Sequence, residues 1–259
     1  MKVASALLAA VALLLCAGIR ASAVPNRDGD LFVTFDGSLH PTRLPRQRPA
    51  PVAVRVAGNI RSVSGHPDQL PQLRRISVAI NRQGKLFDLG LPICSVNAIQ
   101  PASEAAARKV CGGSIVGEGH IRLRVRIPGQ LPFLVRAKLL AFNGPRRGGD
   151  KLILAQAYAR KPPGAFVLVF RIRRHPGLFG TVMATTLPRG ARRWAFLTHF
   201  DMTLHRVYSY RGKLRSYVSA ACGAPPGFDA VVFPFARATY GFANGQRLTT
   251  SVTQSCHIT

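Results

Sequence analysis

Apolar and polar residues alternate with a period of two along most of this chain. The stretch "RISVAIN" sets Ile76, Val78 and Ile80 on one side, and "HIRLRVRI" sets Ile121, Leu123, Val125 and Ile127 against Arg122, Arg124 and Arg126. Such alternation predicts half-buried antiparallel strands, each with one core face and one wet face. The same pattern predicts strands over 51–58, 75–81, 84–90, 115–127, 133–142, 152–158, 166–172, 181–187, 195–204, 217–221, 236–242 and 248–255. A shorter candidate lies at 31–35 and is followed by "HPTRLPRQRPAP", whose prolines lack the N–H a regular ladder needs.

One stretch departs from the period. "PASEAAARKV", residues 101–110, carries Pro101 at its start, Glu104 in the first turn, Arg108 and Lys109 in the last, and Gly112-Gly113 beyond. Those charges complement a helix dipole, and the stretch predicts one short helix. Asn244-Gly245 predicts a hairpin in which both turn residues take positive φ. About a dozen short strands separated by glycine and proline, with a single helix, predict an all-β fold, an antiparallel β-sandwich. The expected order is a signal peptide over 1–23, an extended N-terminal arm over 24–50 and a sandwich domain over 51–259. Either one sandwich or two packed together satisfies the pattern, and the loops at 143–150 and 161–164 read as hairpins within one continuous domain.

Charge and cysteines add a compartment and a class of partner. Lys2, an apolar run over 3–18 and Ala21-Ser22-Ala23 have the order of a secretory signal cut after Ala23. Arg20 interrupts that run before the roughly 20 residues a membrane anchor needs. No integral membrane segment is expected after cleavage, and the protein is expected outside the cell or on its envelope. The chain holds 36 Lys and Arg against 10 Asp and Glu, a net charge of +26, which becomes +24 when Lys2 and Arg20 leave with the signal. A net charge of this size attracts anything acidic and says little about fold. Two readings compete: adhesion to an anionic cell-wall polymer or other acidic surface, and simple arginine-rich composition. After cleavage four cysteines remain, an even number suited to an oxidising compartment. Each of the pairs Cys94 with Cys111 and Cys222 with Cys256 brackets one local unit, so these pairings are expected.

Candidate chemistry is sparse. In "FLTHFDMTLH", Phe196, Phe200, Met202 and Leu204 are expected to face the core, leaving His199, Asp201, Thr203 and His205 outward. Residues two apart on one strand face lie about 7 Å apart, so His199 and Asp201 are the candidates for a metal ion, against the plainer reading of polar side chains on a wet face. "GEGH" places Glu118 and His120 on one face, with glycines that mark a bulge or a close backbone approach. No nucleophile elbow, P-loop, dinucleotide fingerprint or H-E-x-x-H is present. No catalytic residue and no cofactor is assigned.

For polyanion binding the candidates are Arg122, Arg124 and Arg126, and in "RVYSYRGKLRSY" Arg206, Arg211, Lys213 and Arg215, interleaved with Tyr208, Tyr210 and Tyr217. The competing reading of that second stretch is a hairpin with its tyrosines packed on the sheet. Export argues against specific nucleic-acid binding.

The segments "LPICSVNAIQPASEAAARKVCGGSIVGEG", "LLAFNG", "YRGKLRSY" and "FPFARA", followed by a final cysteine, together resemble a family of uncharacterised secreted proteins from actinobacteria. The resemblance runs from about residue 50 to Cys256 and implies export and the four-cysteine framework. It supplies no activity, ligand or catalytic residue. The expected function is therefore a secreted, non-enzymatic β-sandwich that adheres to acidic envelope material. The alternative is an envelope-associated metal-dependent hydrolase using His199 and Asp201.

Overall fold

The computed structural model describes residues 25–66, 70–189 and 194–259; the expected signal peptide lies outside the described residues. Eighteen strands form among them. They are β1 (Asn26–Asp28), β2 (Leu31–His40), β3 (Arg43–Leu44), β4 (Ala50–Pro51), β5 (Ala53–Ser62), β6 (Leu73–Ile80), β7 (Gly84–Leu86), β8 (Ile115–Val125) and β9 (Phe133–Asn143). The rest are β10 (Lys151–Arg160), β11 (Pro163–Arg174), β12 (Thr181–Thr186), β13 (Ala195–Leu204), β14 (Val207–Tyr210), β15 (Lys213–Ser216), β16 (Val218–Ala220), β17 (Ala230–Phe242) and β18 (Arg247–Ile258).

Thirteen of these join one sheet in the order β1-β2-β5-β13-β8-β9-β10-β11-β12-β6-β17-β18-β3, antiparallel except where β18 meets β3. A right-handed twist accumulated over so many strands curls a sheet. Here the two ends approach each other. Asn26 Nδ2 on β1 donates to the Thr249 carbonyl on β18 at 2.8 Å. Gln254 Nε2 on β18 donates to the Gly37 carbonyl on β2 at 2.6 Å, and the Tyr240 hydroxyl on β17 to the Thr34 carbonyl at 3.1 Å. The expected sandwich is thus one continuous sheet folded over on itself.

Alternation explains what lies inside. On β2, Leu31, Val33, Phe35 and Leu39 are buried, on β6 Leu73, Ile76, Val78 and Ile80, and on β8 Ile121 and Leu123. The interior encloses a cavity of about 110 Å³ whose walls include Val56, Ile76, Leu139, Ile153 and Phe200.

The segment expected as an extended arm is largely built into the sheet. β2 is ten residues long and pairs along its whole length with β5. The period of two continues past Phe35 through Gly37 and Leu39, and glycine is needed at 37 because a Cβ there would meet the Phe235 ring at 2.8 Å. Only the proline-rich remainder is irregular, adding the two-residue strands β3 and β4.

A second, smaller core lies on the outer face. Helix α1 (Val96–Ile99), a single turn capped by Ser95, and helix α2 (Glu104–Cys111) cover β9, β10 and β11. Between them they bury Ile99, Ala107, Leu140, Phe142, Leu154 and Val167. This is why β10 and the second half of β9 are buried on both faces. Gln156 points into that core and donates from Nε2 to the carbonyls of Ile99 (2.6 Å) and Ala102 (2.8 Å). Helix α2 starts three residues later than Pro101 implies, because the Ser103 side chain caps it by accepting from the Ala106 N–H.

Both disulfides, Cys94–Cys111 and Cys222–Cys256, form as expected. The first closes a 17-residue separation around the helices and the second a 34-residue one. Loop-closure entropy makes them worth about 3 and about 4 kcal/mol. The hairpin β17–β18 also forms at Asn244-Gly245, with one difference: of the two turn residues, only Gly245 takes positive φ. The Phe242 N–H donates to the Gln246 carbonyl at 3.0 Å and closes a loop one residue longer than the tightest turn. Such a loop, ending in a left-handed glycine, matches the strand twist equally well. No helix among the described residues is long and apolar enough to cross a membrane.

Candidate functional site

The outward residues of β5, β13, β8, β9 and β10 form one continuous face. Register fixes the neighbours. Asp201 lies opposite His120, His199 opposite Arg122, and Thr203 opposite Glu118 across β13–β8. Arg122 then lies opposite Arg136, and His120 opposite Lys138, across β8–β9. Cβ atoms of opposed residues on neighbouring strands are about 5 Å apart, so side chains distant in sequence meet here.

Two glycines bring β8 and β13 together. A Cβ at Gly119 would collide with the Asp201 carbonyl oxygen, and one at Gly117 with that of Thr203. The glycines of "GEGH" therefore serve the close backbone approach that their spacing implies. A register shift between Leu197 and His199 marks a bulge, where the Thr198 hydroxyl donates to the Arg122 carbonyl at 3.0 Å.

That bulge changes which residues face inward. Beyond it Phe200, Met202 and Leu204 line the interior, but before it Ala195 and Leu197 do. Phe196, expected in the core, instead lies on the outer face, buried beneath the Arg126 guanidinium, 4.1 Å above its ring. One extra residue at a bulge reverses the parity of every position on one side of it.

His199, Asp201 and His120 converge. One ligand atom from each lies within 4.8 Å of the others, and the two imidazole rings are 5.4 Å apart between centroids. His120 belongs to a separate motif in the sequence; only the pairing of β8 with β13 brings it here. His205 is not part of the group. His199 Nδ1 is 2.8 Å from Asn59 Oδ1, and Asn59 Nδ2 donates to Thr34 Oγ1 at 3.0 Å. Partial burial, then the charges of Arg122 and His120, hold the His199 imidazole below its ordinary pKa, against the opposing pull of Asp201. Asp201 accepts from Arg55 through both carboxylate oxygens, Nε lying 3.0 and 3.2 Å away and Nη2 also in contact. Such a forked pair fixes the carboxylate in place.

Next to this group the surface is basic. Arg136, Lys138, Arg160, Lys161, His120 and Tyr158 line a depression of about 710 Å³, with Glu104 at its rim. The two glutamates of the chain are both engaged on one side of it. Glu104 binds Lys138 at 2.7 Å and Arg108 at 3.0 Å, and Glu118 binds Arg108 at 2.9 Å. Hydrogen bonding from Lys138 is the main cause that lowers the Glu104 pKa. Arg122, Arg136 and Arg160 make no ion pair among the described residues. Glu118 thus belongs to a charge network and is not one of the converging ligand groups.

The second expected basic stretch lies on a separate two-stranded sheet, β14–β15. Arg211 and Gly212 form its tight turn with φ of 51° and 69°. The tyrosines are packed. Tyr217 is buried, and the Tyr208 hydroxyl donates to the carbonyls of Phe87 (3.2 Å) and Leu89 (2.9 Å). Arg211 lies over Tyr210 and Arg215 over Phe87, each 5.3 Å from the ring centroid. Arg206 is half-buried, with its Nε enclosed in the protein, and Lys213 is exposed in the hairpin. These rings pack against the protein's own groups, so the stretch forms a packed hairpin.

No protein-family model, curated protein or solved structure matches this chain.

Proposed function

We propose that the protein is exported and adheres to an anionic surface of the cell envelope, engaging it through the outer face of β8, β9 and β10. One observation carries this reading: Arg122, Arg136 and Arg160 occupy neighbouring positions on three adjacent strands without carboxylate partners among the described residues. In a chain with 10 acidic residues against 36 basic ones, and with both glutamates held by Arg108 and Lys138, such a cluster has little internal charge to satisfy it. Guanidinium groups spaced along a sheet face suit a repeating phosphate or carboxylate polymer, which offers successive anions to a fork-shaped donor. The two disulfides fit an oxidising, extracellular setting.

Purified protein is mixed with long-chain polyphosphate or with anionic wall material and sedimented over a salt series. Retention at low salt that falls steeply as salt rises is the expected result, because screening removes the attraction and released counterions no longer favour binding. Protein that stays in the supernatant at low salt contradicts the reading. A metal-dependent hydrolase is the second reading, favoured by the convergence of His120 with His199 and Asp201. Hydrolysis of a phosphoester or peptide in the presence of zinc, lost in His199→Ala, is the result that would support it.

A further inference from the structure

We infer that His120, His199 and Asp201 form a binding site for one divalent transition metal ion of the zinc class, held on the outer face where β8 and β13 pair. The inference stands apart from the adhesion reading, since it concerns different side chains and a different ligand.

Donor chemistry comes first. Two imidazoles and a carboxylate, within 4.8 Å of one another, are a ligand set that zinc accepts, and three protein ligands leave one position of a tetrahedron open. Atoms bound to one such ion lie about 3.3 Å apart, given bonds of about 2.0–2.1 Å. The exposed His120 ring, 5.4 Å from the His199 ring between centroids, is the group that must turn to reach that spacing.

A second, independent observation is the support behind His199. Asn59 donates from Nδ2 to Thr34 Oγ1, which turns its Oδ1 toward His199 Nδ1. An amide oxygen accepts, so Nδ1 carries the proton and Nε2 presents its lone pair. Metal-bound histidines are oriented in this way, by an oxygen that accepts from the other ring nitrogen. Asn59 lies opposite His199 on one side and opposite Thr34 on the other, so the relay crosses β2, β5 and β13 in a straight row. Arg55 performs the same office for the carboxylate, gripping Asp201 mainly at Oδ2 and leaving Oδ1 at the longer 3.2 Å contact.

Position gives the site its use. His120 also lines the basic depression, so the ion stands at the edge of a surface already furnished with Arg136, Arg160 and Lys161. Its open position suits an oxygen of an acidic ligand, and the ion adds positive charge where Arg55 and Asp201 otherwise cancel.

Zinc is titrated into purified, metal-free full chain by calorimetry at neutral pH, and cobalt is added in parallel for its visible absorption. The expected result is one saturable site with dissociation constant below about 100 µM, a tetrahedral cobalt spectrum, and loss of both in His120→Ala and in His199→Ala. Asn59→Ala is expected to keep the site and weaken it about tenfold, since orienting groups cost that much when removed. Thermal melts without metal show that each variant is folded. Absence of saturable binding, or binding that both histidine variants retain, overturns the assignment. Metal binding and polyphosphate sedimentation are read separately, so either can fail while the other stands.

Discussion

Two arginine-rich stretches of this chain look alike in sequence and end in opposite circumstances. Arg122 lies on β8, near the middle of a thirteen-stranded sheet, and gains Arg136 and Arg160 from strands that follow it, while Arg126, just beyond β8, covers the Phe196 ring. Arg211, Lys213 and Arg215 lie on a two-stranded hairpin with no further strand beside it among the described residues. There the guanidinium groups fold back over Tyr210 and Phe87. Width of sheet makes the difference: a flanked strand multiplies its outward charge with each neighbour, while an isolated hairpin has only nearby rings to cover. Both stretches are rich in arginine, so a row of arginines is not by itself a surface.

The largest test of this contrast is steric. Gly119→Ala pushes a methyl group into the Asp201 carbonyl between β8 and β13. Backbone on both sides cannot yield, and a loss of about 3 kcal/mol is expected, seen as a melting temperature lower by roughly 6–12 °C. Gly212→Ala, at φ +69° in the hairpin turn with open space around it, is expected to cost about 1 kcal/mol. Equal melting of the two variants would mean that the wide face is no more tightly built than the hairpin.

Charge removal comes next. Replacing Arg122, Arg136 and Arg160 together by glutamine should weaken binding to polyphosphate by on the order of tenfold to a hundredfold and flatten its salt dependence. The same change at Arg211, Lys213 and Arg215 should weaken it by less than about threefold. Sedimentation at one low salt concentration compares them, and a larger loss from the hairpin reverses the comparison.

Smaller effects separate packing from charge. Tyr208→Phe deletes the hydroxyl that donates to two carbonyls of the 87–89 segment. A loss of about 1 kcal/mol in stability to denaturant is expected, with polyphosphate binding unchanged. Unchanged stability would leave the packed hairpin without its anchor.

The least effect is a dependence on pH. The folded-state pKa of Glu104 lies below its ordinary value of 4.5, chiefly because Lys138 donates to its carboxylate, with Arg108 adding to the effect. The unfolded chain therefore binds that proton more readily. Stability from this group is complete above about pH 4.5 and is lost as pH falls through that value toward the folded pKa. Glu104→Gln should remove this part of the acid decline in melting temperature, whereas variants of the hairpin, which carries no carboxylate, should keep it. A Glu104→Gln profile that parallels the parent chain would show that the carboxylate on the wide face draws nothing from its cations.

Much of the architecture is legible in the residues alone. Period two locates the long strands, spacing locates the two disulfides, and a run of alanines between charges locates helix α2. Local chemistry suffices for these, because a strand's faces, a cap and a short cross-link depend on residues near one another in the chain. Three features are not legible, for the opposite reason. The parity reversal at Phe196 arises from a bulge near Thr198 that nothing in "FLTHFD" announces. Strand β2 reads as ending at Phe35 because Gly37 presents no side chain to continue the pattern. His120 meets His199 and Asp201 only because β8 and β13, far apart in the chain, pair in that register. Alternation tells a residue which side of a sheet it occupies. Which strand lies beside it is decided by burial of the whole apolar surface at once, and that decision assembles both the basic face and the metal-ligating group.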